Sequence, residues 1–106
     1  MRRAARVDSN HAEVKAAFLK LGCSVLDLSA VGQGCPDLLI GYGGLSICVE
    51  VKDGSKVPSA RKLTDAQRDW HLDWTGGVRI VENMEDAALT ANLLRKWKLA
   101  ISQQKV

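Results

Sequence analysis

Apolar positions along this chain change period several times, and each change marks an element. After the polar run Asp8-Ser9-Asn10, Val14, Ala17, Phe18 and Leu21 recur at i, i+3, i+4 and i+7. That is the spacing of an amphipathic helix, which Asn10 can cap and Gly22 can stop. Cys23 to Leu28 reads as a strand, and Gly32-Gln33-Gly34-Cys35-Pro36 as a loop. Asp37 to Tyr42 and Leu45 to Lys52 are β-rich runs around Gly43-Gly44. Two glycines between such runs predict a hairpin, because the tight turn needs positive φ. The polar stretch Asp53 to Lys62, broken by Gly54 and Pro58, predicts a loop. Thr64 opens a second helix to about Trp74, which Gly76-Gly77 end, and Val78 to Glu82 is a short strand. Asn83 caps a third helix, with Glu85 and Asp86 in its first turn and Arg95, Lys96 and Lys98 near its end, matching the helix dipole. Ser102 to Val106 are expected to fray. The order α-β-β-β-α-β-α over residues 1–106 predicts a single small α/β domain, a mixed central sheet flanked by helices.

Composition narrows the classes. With 46% apolar residues and well-mixed charge the chain is not expected to be disordered, and no apolar run approaches the roughly 20 residues that span a bilayer. The basic start Met1-Arg2-Arg3-Ala4-Ala5-Arg6 is followed by polar residues where an export signal needs apolar ones, so an intracellular, cytoplasmic address is expected. Cys23, Cys35 and Cys48 form no Cys-x-x-Cys pair, which argues against a disulfide framework and a zinc site and for buried small hydrophobes. His11 and His71 lack metal-ligand spacing and read as surface or half-buried. The net charge of +3 is mild, but basic residues cluster as Arg2, Arg3 and Arg6, as Lys56, Arg61 and Lys62, and as Arg95, Lys96 and Lys98.

The hairpin carries the sharpest expectation. A two-residue turn at Gly43-Gly44 pairs Tyr42 with Leu45 and, at the far end, Asp37 with Glu50. Directly paired residues share a face with Cβ atoms about 5 Å apart, and Lys52 joins that face by the period of two. Leu38, Ile40, Ile47, Val49 and Val51 line the opposite face. Two carboxylates directly opposed repel, and a divalent cation bridging them relieves this; hard oxygen ligands suit Mg²⁺ or Mn²⁺. The alternative is a solvated strand on which Lys52 simply pairs with one acid. Glu13 borders the buried face of the first helix, where it either joins these acids or completes a capping box with Asn10. Gln67 is likewise either the capping-box partner of Thr64 or an amide reaching a site from a Trp-rich face. Trp70, Trp74 and Trp97 read as core.

Pro36-Asp37 followed by Glu50-Val51-Lys52 resembles the PD-(D/E)xK nuclease motif. With Asp8-x-Asn10-x-x-Glu13, Gly32-x-Gly34-x-Pro36-Asp37-Leu38-Leu39, Glu50-Val51-Lys52-Asp53-Gly54 and Leu63-Thr64-x-x-Gln67 in order, the chain resembles stand-alone virus-type replication-repair nuclease (VRR-NUC) domains over roughly residues 6 to 98. The resemblance implies a restriction-endonuclease-like fold. It implies metal binding by Asp37, Glu50, Glu13 and the Val51 carbonyl. Lys52 would activate the attacking water, and Gln67 would position Lys52 or the scissile phosphate. Lys56, Arg61 and Lys62, in the loop directly after the catalytic strand, are the first candidates for DNA-backbone contacts. The expected activity is structure-selective cleavage of branched DNA, with dimerisation like that of Holliday-junction resolvases implied by the family. A monomeric flap or 5′-end nuclease and a non-catalytic DNA-binding module are the rivals. Neither a membrane nor a small-molecule cofactor is expected.

Overall fold

The structure, a computed structural model, describes residues 7–104. The basic cluster Arg2, Arg3 and Arg6 and the end of the expected frayed tail lie outside the described residues. The elements are α1 (His11–Lys20), β1 (Ser24–Asp27), β2 (Leu38–Tyr42), β3 (Leu45–Val51), α2 (Asp65–Asp73), β4 (Val78–Val81) and α3 (Met84–Gln103), in the expected order. A short 3₁₀ turn, Pro58–Arg61, interrupts the predicted loop. The strands form one sheet in the order β1-β2-β3-β4. The first three are antiparallel, and β4 joins β3 in parallel after the crossover through α2.

Gly43 and Gly44 take φ of 56° and 88°. Both lie in the positive region that the primed hairpin turns require. The register runs from Tyr42↔Leu45 to Leu38↔Val49, as the two-residue turn dictates. Its consequence is a sheet with two unlike faces. Leu38, Ile40, Ile47, Val49, Val51 and Val81 are buried on one of them, packed with Val14 and Phe18 of α1 and Ala87, Ala91 and Leu94 of α3. The alanines on α3 carry little bulk and bring that helix close to the strands. Cys23 and Cys48 are buried and Cys35 half-buried, all three as free thiols.

Several local expectations need correction. Asn10 makes no cap bond to α1. Its Nδ2 instead donates to the carbonyls of Lys52 and Glu82, both at 3.0 Å, tying the chain before α1 to the ends of β3 and β4. The third helix continues to Gln103, so Arg95, Lys96 and Lys98 stand short of its last turn. Arg95 instead donates to the Leu21 carbonyl at the end of α1, and Arg95 and Lys98 both lie over the Tyr42 ring. The tryptophans lie outside the core: Trp74 is 45% exposed and stacks on half-buried Trp70, and Trp97 is 41% exposed. Among the described residues no helix is long and apolar enough to cross a membrane.

Candidate active site

The end of β3 assembles the chemistry. The position opposite Val51 in the hairpin register is Pro36, which has no N–H to give, so the ladder stops there. The Val51 N–H donates instead to the Asp37 carboxylate at 2.8 Å, fixing that acid at the strand end. The Val51 carbonyl points along the same edge, where Pro36 offers it no donor. Glu50 and Lys52 lie on the face away from the core yet are 1% and 7% exposed, because α2 and the loop before β2 cover them.

Gln67 joins these groups. Its Nε2 donates to Glu50 Oε2 at 3.1 Å, and its Oε1 accepts from Lys52 Nζ at 2.8 Å. The same Oε1 accepts the Thr64 N–H at 2.9 Å, while Thr64 Oγ1 accepts from the Gln67 N–H. Both readings of Gln67 therefore hold at once: the capping box pins the amide that reaches the acid and the lysine. The first turn of α2 sits tightly on the loop before β2. A Cβ at Gly34 would run into the Ala66 carbonyl, and φ there is +82°.

Burial drives the Glu50 carboxyl upward, to about 9; the charge of Asp37 and a hydrogen bond shared with Asp37 add to this, and Lys52 opposes it. Asp8 adds a further upward push. The other oxygen, Glu50 Oε1, is buried with no hydrogen-bond partner. Two neighbouring acids, an acid oxygen with no donor and a carbonyl that faces Pro36 form a hard-oxygen set of the kind that suits Mg²⁺ or Mn²⁺.

Asp37, Glu50, Val51, Lys52 and Gln67 are thus brought together, and Glu13 is not. The buried side of α1 is His11, Val14 and Phe18, which turns Glu13 outward into a groove with Ser9, Asp53, Ser55 and Glu85. Among the described residues no three of His, Cys, Asp or Glu gather to hold an ion, so the expected cluster of three acids is not assembled. The N-terminal acid whose charge does reach Glu50 is Asp8, 3.9 Å from Lys56. Its segment is sewn to the chain after β3 by Ser9 Oγ donating to Asp53 at 2.6 Å.

The three basic loop residues differ in what they offer. Arg61 is committed to the fold, donating to Glu82 at 3.0 Å and to the Lys56 carbonyl at 2.8 Å. Lys56 lies beside Asp8, and Lys62 is exposed. Cys35, read as a buried small hydrophobe, and His71, read as surface or half-buried, are both half-buried in the structure. Burial first, then the charges of Glu50 and Asp37, push the Cys35 thiol up, which leaves it inert as a nucleophile. His71 lies one helical turn beyond Gln67, and burial first, then the charge of Lys52, pushes its ring pKa down. The spacing of four on a helix was the signal that could have found it. Comparison with protein-family models, with curated proteins and with solved structures gives no match.

Proposed function

We propose that this chain is a metal-dependent endonuclease of the VRR-NUC kind, hydrolysing phosphodiester bonds in branched DNA as a homodimer. One observation carries the reading: a nearly fully buried carboxylate, Glu50, keeps one oxygen without a partner beside a second acid and a lysine. A buried ionisable group held so is expensive to the fold unless it serves a ligand. Asp37, Glu50 and the Val51 carbonyl would hold Mg²⁺ or Mn²⁺, with water completing the shell. When bound, the ion acts as a Lewis acid on a phosphoryl oxygen and lowers the pKa of coordinated water.

The chain's own groups do the positioning. The Val51 amide fixes Asp37, and Gln67 fixes both Glu50 Oε2 and Lys52 Nζ. Lys52 would then orient the attacking water and stabilise negative charge developing on the phosphate. Resolving a four-way junction takes two cuts related by a two-fold axis, which two copies of a one-site domain supply. The test is labelled four-way junction, flap and linear duplex incubated side by side with Mn²⁺, with calorimetric titration of the same ion. Expected are junction cleavage by wild type and none by Asp37→Ala or Lys52→Ala with the fold intact. No product from any substrate, together with no ion uptake, would overturn the reading. Cleavage by a monomer, read from native mass, would replace the resolvase form with a flap nuclease.

A further inference from the structure

The chain just before α1 is bound to the rim of the candidate active site. Ser9 Oγ donates to Asp53 at 2.6 Å, Asn10 Nδ2 donates to the carbonyls of Lys52 and Glu82 at 3.0 Å, and Asp8 stands 3.9 Å from Lys56. The Asp8 carbonyl also accepts the His11 N–H at 3.0 Å, closing a turn into α1. Val7, the next residue outward, is 49% exposed. The chain therefore leaves the fold beside the backbone of Lys52 and Asp53.

Ahead of that point the sequence reads Met1-Arg2-Arg3-Ala4-Ala5-Arg6, with three arginines and no acid. Arginine keeps its charge at any working pH and presents a planar fork of donors that matches a phosphate. Six residues of extended chain reach roughly 20 Å. Each DNA strand carries one phosphate per about 3.4 Å of duplex axis, so that length passes roughly six of them. Lys56, 48% exposed at its side chain, adds a cation on the same rim. The groove beside Ser9 and Asn10, by contrast, is lined by Glu13, Asp53, Glu82 and Glu85 and repels a phosphate chain.

We propose that Arg2, Arg3 and Arg6 form a phosphate-binding arm that grips the duplex flanking the scissile bond, tethered to the active-site rim through Asp8, Ser9 and Asn10. The arm supplies affinity and register, not sequence choice. This inference deepens the nuclease reading and rests on it for the scissile bond, whereas the grip itself is measured without cleavage.

The test is fluorescence anisotropy of a labelled four-way junction with the full chain in EDTA over a range of salt. Replacing Arg2→Gln, Arg3→Gln and Arg6→Gln together is expected to reduce the slope of log affinity against log salt by about 2–3 and to weaken binding roughly tenfold or more; the corresponding triple change to Lys is expected to recover most of both. Removing charge instead at the end of α1 and in the second half of α3, with Lys20→Gln and Lys96→Gln, is expected to change the slope by less than about 1. Hydroxyl-radical footprinting locates the grip: protection next to the cut mapped with Mn²⁺ is expected in wild type and lost in the glutamine triple variant. An unchanged slope in that variant, as expected if the arginines are held in the acidic groove instead, would overturn the proposal. So would an equal drop from the Lys20 and Lys96 pair, or protection lost only far from the cut. A wild type that binds but never cuts would end the nuclease reading, while the slopes would still decide whether the arm holds DNA.

Discussion

At the scale of single residues, the environment of Glu50 has the sharpest consequences. Its folded-state pKa is raised above the ordinary 4.5, to about 9, chiefly by burial. The native protein without metal therefore binds more protons than the unfolded chain between those values, and this group lowers stability as pH climbs through that window. Asp27 and Asp53 are held low instead, first by the hydroxyls of Ser29 and Ser55, so what they contribute is lost only in acid, below the ordinary carboxylate range. Urea unfolding without metal is expected to show a lower midpoint near pH 8.5 than near pH 6, and Glu50→Gln is expected to flatten that difference. Glu50→Gln mimics the protonated acid, so it is expected to stabilise the metal-free fold by roughly 1–3 kcal/mol at about pH 8 while abolishing ion uptake in calorimetry. A variant less stable than wild type there would contradict the account of a repelled, unpartnered acid. Much of this was legible in the sequence, because hairpin register is a local property: a two-glycine turn and a period of two are enough to bring Asp37, Glu50 and Lys52 together. Glu13 was not, since a 3.6 period fixes the angles between side chains on a helix but not which side the rest of the fold covers.

At the scale of elements, the site depends on how α2 and the segment before α1 are fastened. Gly34 is a point of close approach, and the neighbour it meets is the backbone of α2's first turn. Gly34→Ala combines a strained φ with a backbone collision, and is expected to cost about 2 kcal/mol or more in chemical unfolding and to lower cleavage by loosening Gln67. Asn10→Ala removes two bonds to the carbonyls after β3 and β4, and a loss of roughly 1–3 kcal/mol is expected from the same measurement. Had Asn10 been the helix cap its local pattern announced, its loss would have frayed α1 alone, visible as reduced helical circular dichroism. The tryptophan pair was misread for a related reason. Apolar spacing on a helix shows that a face exists, whereas Trp74 is half-covered because α2 lies over the strand ends and not over the main core.

For the described residues as a whole, the nuclease reading makes the distribution of uncommitted positive charge the feature that DNA would meet. Arg61 is tied to Glu82 and to the backbone, so Arg61→Ala is expected to destabilise the fold with little change in the salt dependence of DNA binding. Lys62→Ala is expected to do the reverse, weakening junction affinity and reducing the slope of log affinity against log salt by about 1, as read by fluorescence anisotropy. Sequence alone ranked these two bases together, because nothing local to Arg61 discloses an acid 21 positions later in the chain.

The parallel pairing of β3 with β4 leaves β3 hydrogen-bonded along both edges, whereas α2 is secured largely by its first turn and a few side chains. Amide exchange should therefore be slowest along 47–51 and much faster along 65–73. The acids would keep their places while α2 swung open, and the lysine would lose its clasp. Such a molecule would stop working on warming well before it melted, and cooling would restore it without refolding.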